Sequence, residues 1–292
     1  MAKDLVAELL LDCRNMHGEG ILWSADHGLV MWTDIHGCLL WTLEPTGGEA
    51  QSYKLPERLC CFAPRKNRPW NQILAAFSSG FAFFDVLTGE RRDIAAFEPD
   101  QPGTRLNDGR TDAAGRFVAG GMDEREGRAV SSVWVVDKDG STHRLFGEVA
   151  CANSISFSPD GATMFFADSP TGEIIAFDYD AEGGATGSRR LLARTSGIPD
   201  GSCVDEQGFL WNAVWEGGRI ERYAPDGRLD RVIGVPVSKP TCCEFGGPDL
   251  DTLYITTSRL GSSDALLEKE PQAGGLFACR VGVRGHASRP FG

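Results

Sequence analysis

One short pattern recurs six times along this chain, and that recurrence limits the possible fold more than any other feature. A polar turn carrying Asp or Gly leads into a strand-like apolar run that ends on a small or polar residue. Five copies are strong: SADHGLVMWTD (24–34), DAAGRFVAGG (112–121), SPDGATMFFAD (158–168), DEQGFLWNAVW (205–215) and PDLDTLYITT (248–257). A weaker one is NRPWNQILAAF (67–77). After each copy comes a second strand-like run and another turn, as in GFAFFDVLTGE, SSVWVVDKDG and GRIERYAPDG. A spacing of roughly 40–55 residues is the size of a four-stranded propeller blade.

Val, Ile, Phe, Trp and Tyr dominate these runs, Gly, Asp and Pro separate them, and no long 3.6-residue apolar period competes. The pattern predicts an all-β, six-bladed β-propeller occupying 1–292 as one closed domain, with little helix. The apolar stretch around Leu5–Leu11 is expected to complete the last blade, which would hide two sheet edges at once. A TIM barrel would need alternating amphipathic helices, and the pattern has none.

Polar residues keep phase with the repeat. Glu19 stands nine residues before the turn glycine Gly28, while Asn107, Asn153 and Asp200 stand eight before Gly115, Gly161 and Gly208. Asn, Asp and Gly are ordinary turn formers, so any one of these positions alone means little. Four in phase mean more, because propeller symmetry gathers equivalent stations around one axis. Carboxylate and carboxamide oxygens suit a divalent ion such as Ca, Mn, Mg, Fe or Zn. Three protein ligands would leave coordination positions open for water and substrate.

Composition narrows the partner. A net charge of −12 and a pI near 4.9 argue against nucleic acid and anionic membrane and fit a neutral small molecule or a cation. No run approaches the roughly 18 apolar residues of a membrane span. The start lacks a signal-peptide pattern, so a cytoplasmic protein is expected, a monomer or small homo-oligomer. Nine cysteines, two adjacent pairs among them, read as small buried core residues rather than disulfides or zinc ligands. The tryptophans read mostly as blade core, with Trp23, Trp211 and Trp215 near the mouth, and His17 as a rim residue.

The chain resembles the gluconolactonase/regucalcin (senescence marker protein) family, six-bladed propellers with sugar lactonase activity. The likeness is carried by GEGILW (18–23), RLNDGRTDAAGRFVAGGM (105–122), NSISFSPDG (153–161), IPDG (198–201), WEGGRIERYAPDGR (215–228), FGGPDLDTLYITTSR (245–259) and PQAGGLF (271–277). Within the family it looks most similar to bacterial L-arabinono-1,4-lactonase-like proteins. The resemblance implies Glu19, Asn153 and Asp200 as ligands of one divalent metal ion, Asp200 doubling as the proton-transfer group. It implies Arg105 and Asn107 as binders of the sugar lactone, with an acid after the GGM motif. Arg125 stands where that acid is expected, which leaves Glu124 or Glu126 for the role. Ile21 stands where proline is common, and Ser154 where glycine is common.

The implied reaction is metal-dependent hydrolysis of an aldonolactone, a pentonolactone such as L-arabinono-1,4-lactone or a hexonolactone such as gluconolactone. No GxSxG elbow or serine–histidine pair suggests a covalent route, so activated water is favoured. The alternatives are a non-enzymatic metal-binding scaffold and a metal-dependent esterase or phosphotriesterase on the same fold.

Overall fold

The computed structural model describes residues 5–292. Six antiparallel sheets follow the sequence repeat one for one. Blades 1 to 6 begin with the strands Gly18–Ser24, Leu59–Pro64, Thr104–Thr111, Ala152–Phe157, Ile198–Val204 and Pro240–Gly246. Each first strand touches the first strand of the next blade, and blade 6 returns to blade 1, so these six strands line a central channel. The architecture is a six-bladed β-propeller. The repeat copies are the turn and second strand of each blade, such as Leu29–Asp34, Thr163–Asp168 and Leu210–Trp215.

The core explains why the ring holds. Buried apolar residues form one cluster at every blade–blade interface instead of a single central core. Trp211 and Ile220 meet Phe245 and Phe277 between blades 5 and 6, and Ile21, Trp23 and Trp32 meet Tyr254 and Leu276 between blades 6 and 1. Blades 1–2, 2–3, 3–4 and 4–5 are sealed the same way. A twisted sheet with two apolar faces can bury both only by being flanked on each side. The repeat's aspartates act as turn caps: Asp205 accepts from the N–H groups of Gln207 (2.9 Å) and Phe209 (3.1 Å) and from the indole of Trp211 (3.0 Å).

The N-terminal segment closes the ring differently from expectation. Glu8–Leu11 is the fourth strand of blade 6, antiparallel to Leu276–Arg280, as predicted. Leu5–Val6 instead pairs in parallel with the outer strand Leu229–Gly234 of blade 5. Among the described residues, helix is confined to Asp264–Lys269 and a 3-10 turn at Ser169–Thr171. No helix among the described residues is long and apolar enough to cross a membrane.

The two ends of the channel differ in construction. Every channel strand carries a β-bulge near its first end, for example between Glu19 and Leu22, Leu106 and Gly109, Asn153 and Ser156, and Pro199 and Ser202. Bulges re-aim side chains, and here they re-aim them at the axis. At the other end the chain's last residues cross the channel mouth. Gly285 bridges Asp205 of blade 5, Phe291 bridges Arg65 of blade 2, and Gly292 donates to Gly115 of blade 3 (2.9 Å). Cavities of only about 40 and 60 Å³ remain under Ser288 and Arg289.

Candidate active site

The bulged ends of the channel strands open on a cavity of about 250 Å³ lined by His17, Arg105, Asn107, Asn153, Asp200 and Trp215, among others. Glu19 lies just beneath it, against Asp200. Glu19, Asn153 and Asp200 are 6%, 5% and 6% exposed.

Local hydrogen bonds fix each of these side chains. In blade 1, Asp34 accepts from the N–H of His17 (2.9 Å), two residues before Glu19. In blade 4, Asp168 accepts from the N–H of Cys151 (2.8 Å), two residues before Asn153. Both acids close a repeat copy, so the repeat itself supplies the clamps. Gly20 sits at φ +56°, a left-handed conformation natural to glycine, and donates its N–H to Glu19 (2.8 Å). Ser154 takes the equivalent left-handed place in blade 4 (φ +58°), and its hydroxyl donates to the Asp200 carbonyl (2.6 Å). That bond ties blade 4 to blade 5 and accounts for a serine where the resemblance expects glycine.

Ladder pairing refines the phase read from the turn glycines. Asn107 and Asp200 lie inside their bulges, whereas Glu19 and Asn153 lie one residue before theirs. The four are gathered at one end of the channel without being strictly equivalent.

A polar chain links them. The Arg105 guanidinium donates through Nη1 to Asn107 Oδ1 (2.7 Å), and Asn107 Nδ2 donates to the Ala152 carbonyl (2.9 Å) and to Asn153 Oδ1 (3.2 Å). Asn153 Nδ2 donates to Ser169 Oγ (2.8 Å), whose hydroxyl donates to the Pro199 carbonyl (2.7 Å), next to Asp200. Of the two candidates after the GGM motif, Glu124 and Glu126, Glu124 is the one brought to Arg105. It accepts from Arg105 Nε (2.7 Å) and from both Arg58 Nη atoms (2.8 and 3.0 Å). Glu126 pairs with Arg128 at 3.3 Å on the surface.

Electrostatics mark the pair Glu19 and Asp200. Their carboxyl groups lie within hydrogen-bonding reach of each other. Burial, then the nearby Asp108 charge, pushes Glu19 up to about 8. Burial, then Glu19 itself, holds Asp200 well above the usual carboxylate range. Two acids kept protonated by proximity and burial form a place where a cation would relieve both. Among the described residues no three His, Cys, Asp or Glu side chains come together as a metal cluster. Asn153, which lines the same cavity, offers an amide oxygen with a lone pair left beside its bond from Asn107. The residues fit a divalent ion.

The sequence reading placed His17 and Trp215 near the mouth but did not single out Cys151 or Arg110. His17 is buried rather than on the rim, and burial, then the Arg105 charge, pushes its imidazole down to about 3. Cys151 lines the cavity, but burial and the Asp200 charge push its thiol up to about 12, so it stays a neutral thiol and not a nucleophile. Of the three tryptophans placed near the mouth, only Trp215 lines the cavity, while Trp23 and Trp211 are core. Deeper in the channel, Arg110 donates to the carbonyls of Ile21 (2.7 Å) and Ser202 (3.2 Å) and pairs with Glu244 (3.5 Å). Ile21 and Ser202 each stand two residues past an acid, Glu19 or Asp200. The clue was present as an arginine inside RLNDGRT, although nothing in one sequence aims it at the axis. All nine cysteines are free, and five are buried.

Residues 17–259 match the profile of the family described as SMP-30/Gluconolactonase/LRE-like region. The chain belongs to that family. Among similar members, L-arabinolactonase of Azospirillum brasilense is 40% identical over 98% of this chain and 95% of its own length. The 6-deoxy-6-sulfogluconolactonase of Pseudomonas putida is 37% identical over 94% of each chain. The crystal structure of the calcium-binding protein regucalcin from Agrobacterium tumefaciens superposes with a TM-score of 0.90 at 29% identity, covering 98% of this chain and 97% of that one. The family's propeller is thus shared from end to end.

Proposed function

We propose that this protein hydrolyses a sugar lactone to the corresponding aldonic acid, with a divalent cation held by Glu19, Asn153 and Asp200. The observation that carries the reading is the pair of buried, mutually opposed carboxylates, Glu19 against Asp200, beneath a sugar-sized cavity that Asn153 also lines. Relatives named as lactonases over nearly the full chain support the same reaction. A bound cation supplies Lewis acidity toward the lactone carbonyl and brings the two carboxyl groups into their ionised forms.

The chain's own residues do the rest. Arg105 and Asn107 bind sugar hydroxyls and orient the ring; Arg105 lines the cavity, and its Nη2 makes no hydrogen bond to the described residues. Glu124 holds Arg105 by its Nε and, with its side chain 30% exposed, keeps lone pairs for a substrate hydroxyl. Asp200, through a carboxylate oxygen, takes a proton from the attacking water as the bond from water oxygen to carbonyl carbon forms. It returns that proton to the ring oxygen as the ester bond breaks. A carboxylate is a weak base, and a lactone is an activated ester that asks for no stronger one.

The oxygen-only donor set favours a hard ion, and calcium is the first candidate, given the regucalcin likeness. A pentonolactone is the first substrate candidate, given the L-arabinolactonase likeness. A cytoplasmic setting fits nine unpaired thiols. The test is acid release from a panel of pentono- and hexonolactones, followed with a pH indicator before chelation, after it, and after metal add-back. Acidification no faster than the blank for every lactone and metal would end this reading.

A further inference from the structure

Resting on the lactonase reading, we propose that His17 is a specificity-determining residue whose Nε2 accepts a hydrogen bond from one hydroxyl of the bound lactone. Its geometry assigns the direction of that bond. Ser258 Oγ accepts from the N–H of Leu260 (3.0 Å) and lies 2.9 Å from the Met16 carbonyl, to which we assign its single proton. Toward His17 Nδ1, 2.9 Å away, the hydroxyl can then act only as acceptor. The proton of the ring therefore sits on Nδ1, and Nε2 carries the lone pair.

The ring is held as well as protonated. It stands edge-on to Trp215 (centroids 5.6 Å, planes at 79°) and to His36 (5.5 Å, 75°). Its backbone N–H is clamped by Asp34. The residue is only 8% exposed yet lines the cavity, and Nε2 has no hydrogen-bond partner among the described residues. Nε2 opens on the cavity, so a ligand hydroxyl entering there can take the place of water as its donor. The same wall offers the Arg105 guanidinium, a pure donor. A sugar hydroxyl is both donor and acceptor, and a site that supplies one of each recognises it better than a site with donors alone.

The experiment compares wild type, His17→Phe and His17→Gln on a pentono-1,4-lactone and its 2-, 3- and 5-deoxy analogues. It reads kcat/KM, or the inhibition constant where turnover is slow. In His17→Phe, the loss on the parent should be roughly 3- to 10-fold, the size of one neutral hydrogen bond, mainly in KM. One deoxy analogue should lose nothing, so that its discrimination against the parent collapses. His17→Gln, which keeps an acceptor, should recover part of the loss. Should His17→Phe fail to fold, Ser258→Ala releases the ring proton from Nδ1 and should blunt the same discrimination. Equal losses on the parent and all deoxy analogues, or no loss at all, would overturn the proposal. Wild type inactive on every lactone would instead sink the lactonase reading.

Discussion

At the scale of single residues, two buried acids meet beneath one cavity, Glu19 against Asp200. In the metal-free folded protein Glu19 keeps its proton until about pH 8, whereas the unfolded chain releases it near the ordinary value of 4.5. The native state thus binds more protons than the unfolded state between those limits, and stability must fall as pH rises through them. Asp200 adds to the same trend, because its affinity for protons is raised too. Melting temperature in a chelator should drop from about pH 5 to pH 8; saturating divalent ion should flatten the profile, as should Glu19→Gln. A metal-free profile that rises over that range would contradict the arrangement. For turnover, Asp200→Asn should cost about 10²- to 10⁴-fold in kcat with metal still bound, as judged by metal analysis of the purified variant. Both acids were legible from their phase with the repeat. His17 was not, because its place depends on Ser258, 241 residues away in sequence, and a single chain read in order does not show that partner.

At the scale of elements, the bulge does the positioning. Sequence spacing located the right end of four of the channel strands but could not separate residues inside a bulge from those one step before it, since a bulge adds residues without changing the turn that follows. Arg110 then ties two bulged strands together from below, gripping the carbonyl two residues past each acid. Replacing it by methionine removes both ties and leaves the buried Glu244 carboxylate without its cation. We expect a loss of about 3–5 kcal/mol in urea unfolding, the range for breaking a buried pair from one side, together with weaker cation binding by titration calorimetry. Adding Glu244→Gln should recover part of the stability and none of the cation affinity. An Arg110→Met protein as stable as wild type would show that the pair carries no structural weight. Glycine answers a packing demand at Gly201, where an added Cβ would stand 2.4 Å from Cys242 Sγ on the neighbouring channel strand of blade 6.

At the scale of the whole molecule, the blade count was readable because six turn-and-strand copies are local signals. Their closure was readable only in part. Leu5–Leu11 looked like one strand, yet the structure divides it at Ala7 between two blades, a choice made by sheet edges distant in sequence. Removing residues 1–11 should therefore expose the edges of both blade 5 and blade 6, lower the melting temperature and promote association visible by size-exclusion chromatography. A truncated chain that stays monomeric with unchanged melting would show the closure to be dispensable. The strap of final residues across the far mouth has a further consequence. It spans that mouth from blade 5 to blades 2 and 3, opposite the cavity that Arg105 and Asp200 line. If the proposed reaction runs in that cavity, reactant and acid product pass the same open side, beside Arg105. Such traffic makes a guanidinium at the threshold a brake on departure as well as a guide on arrival.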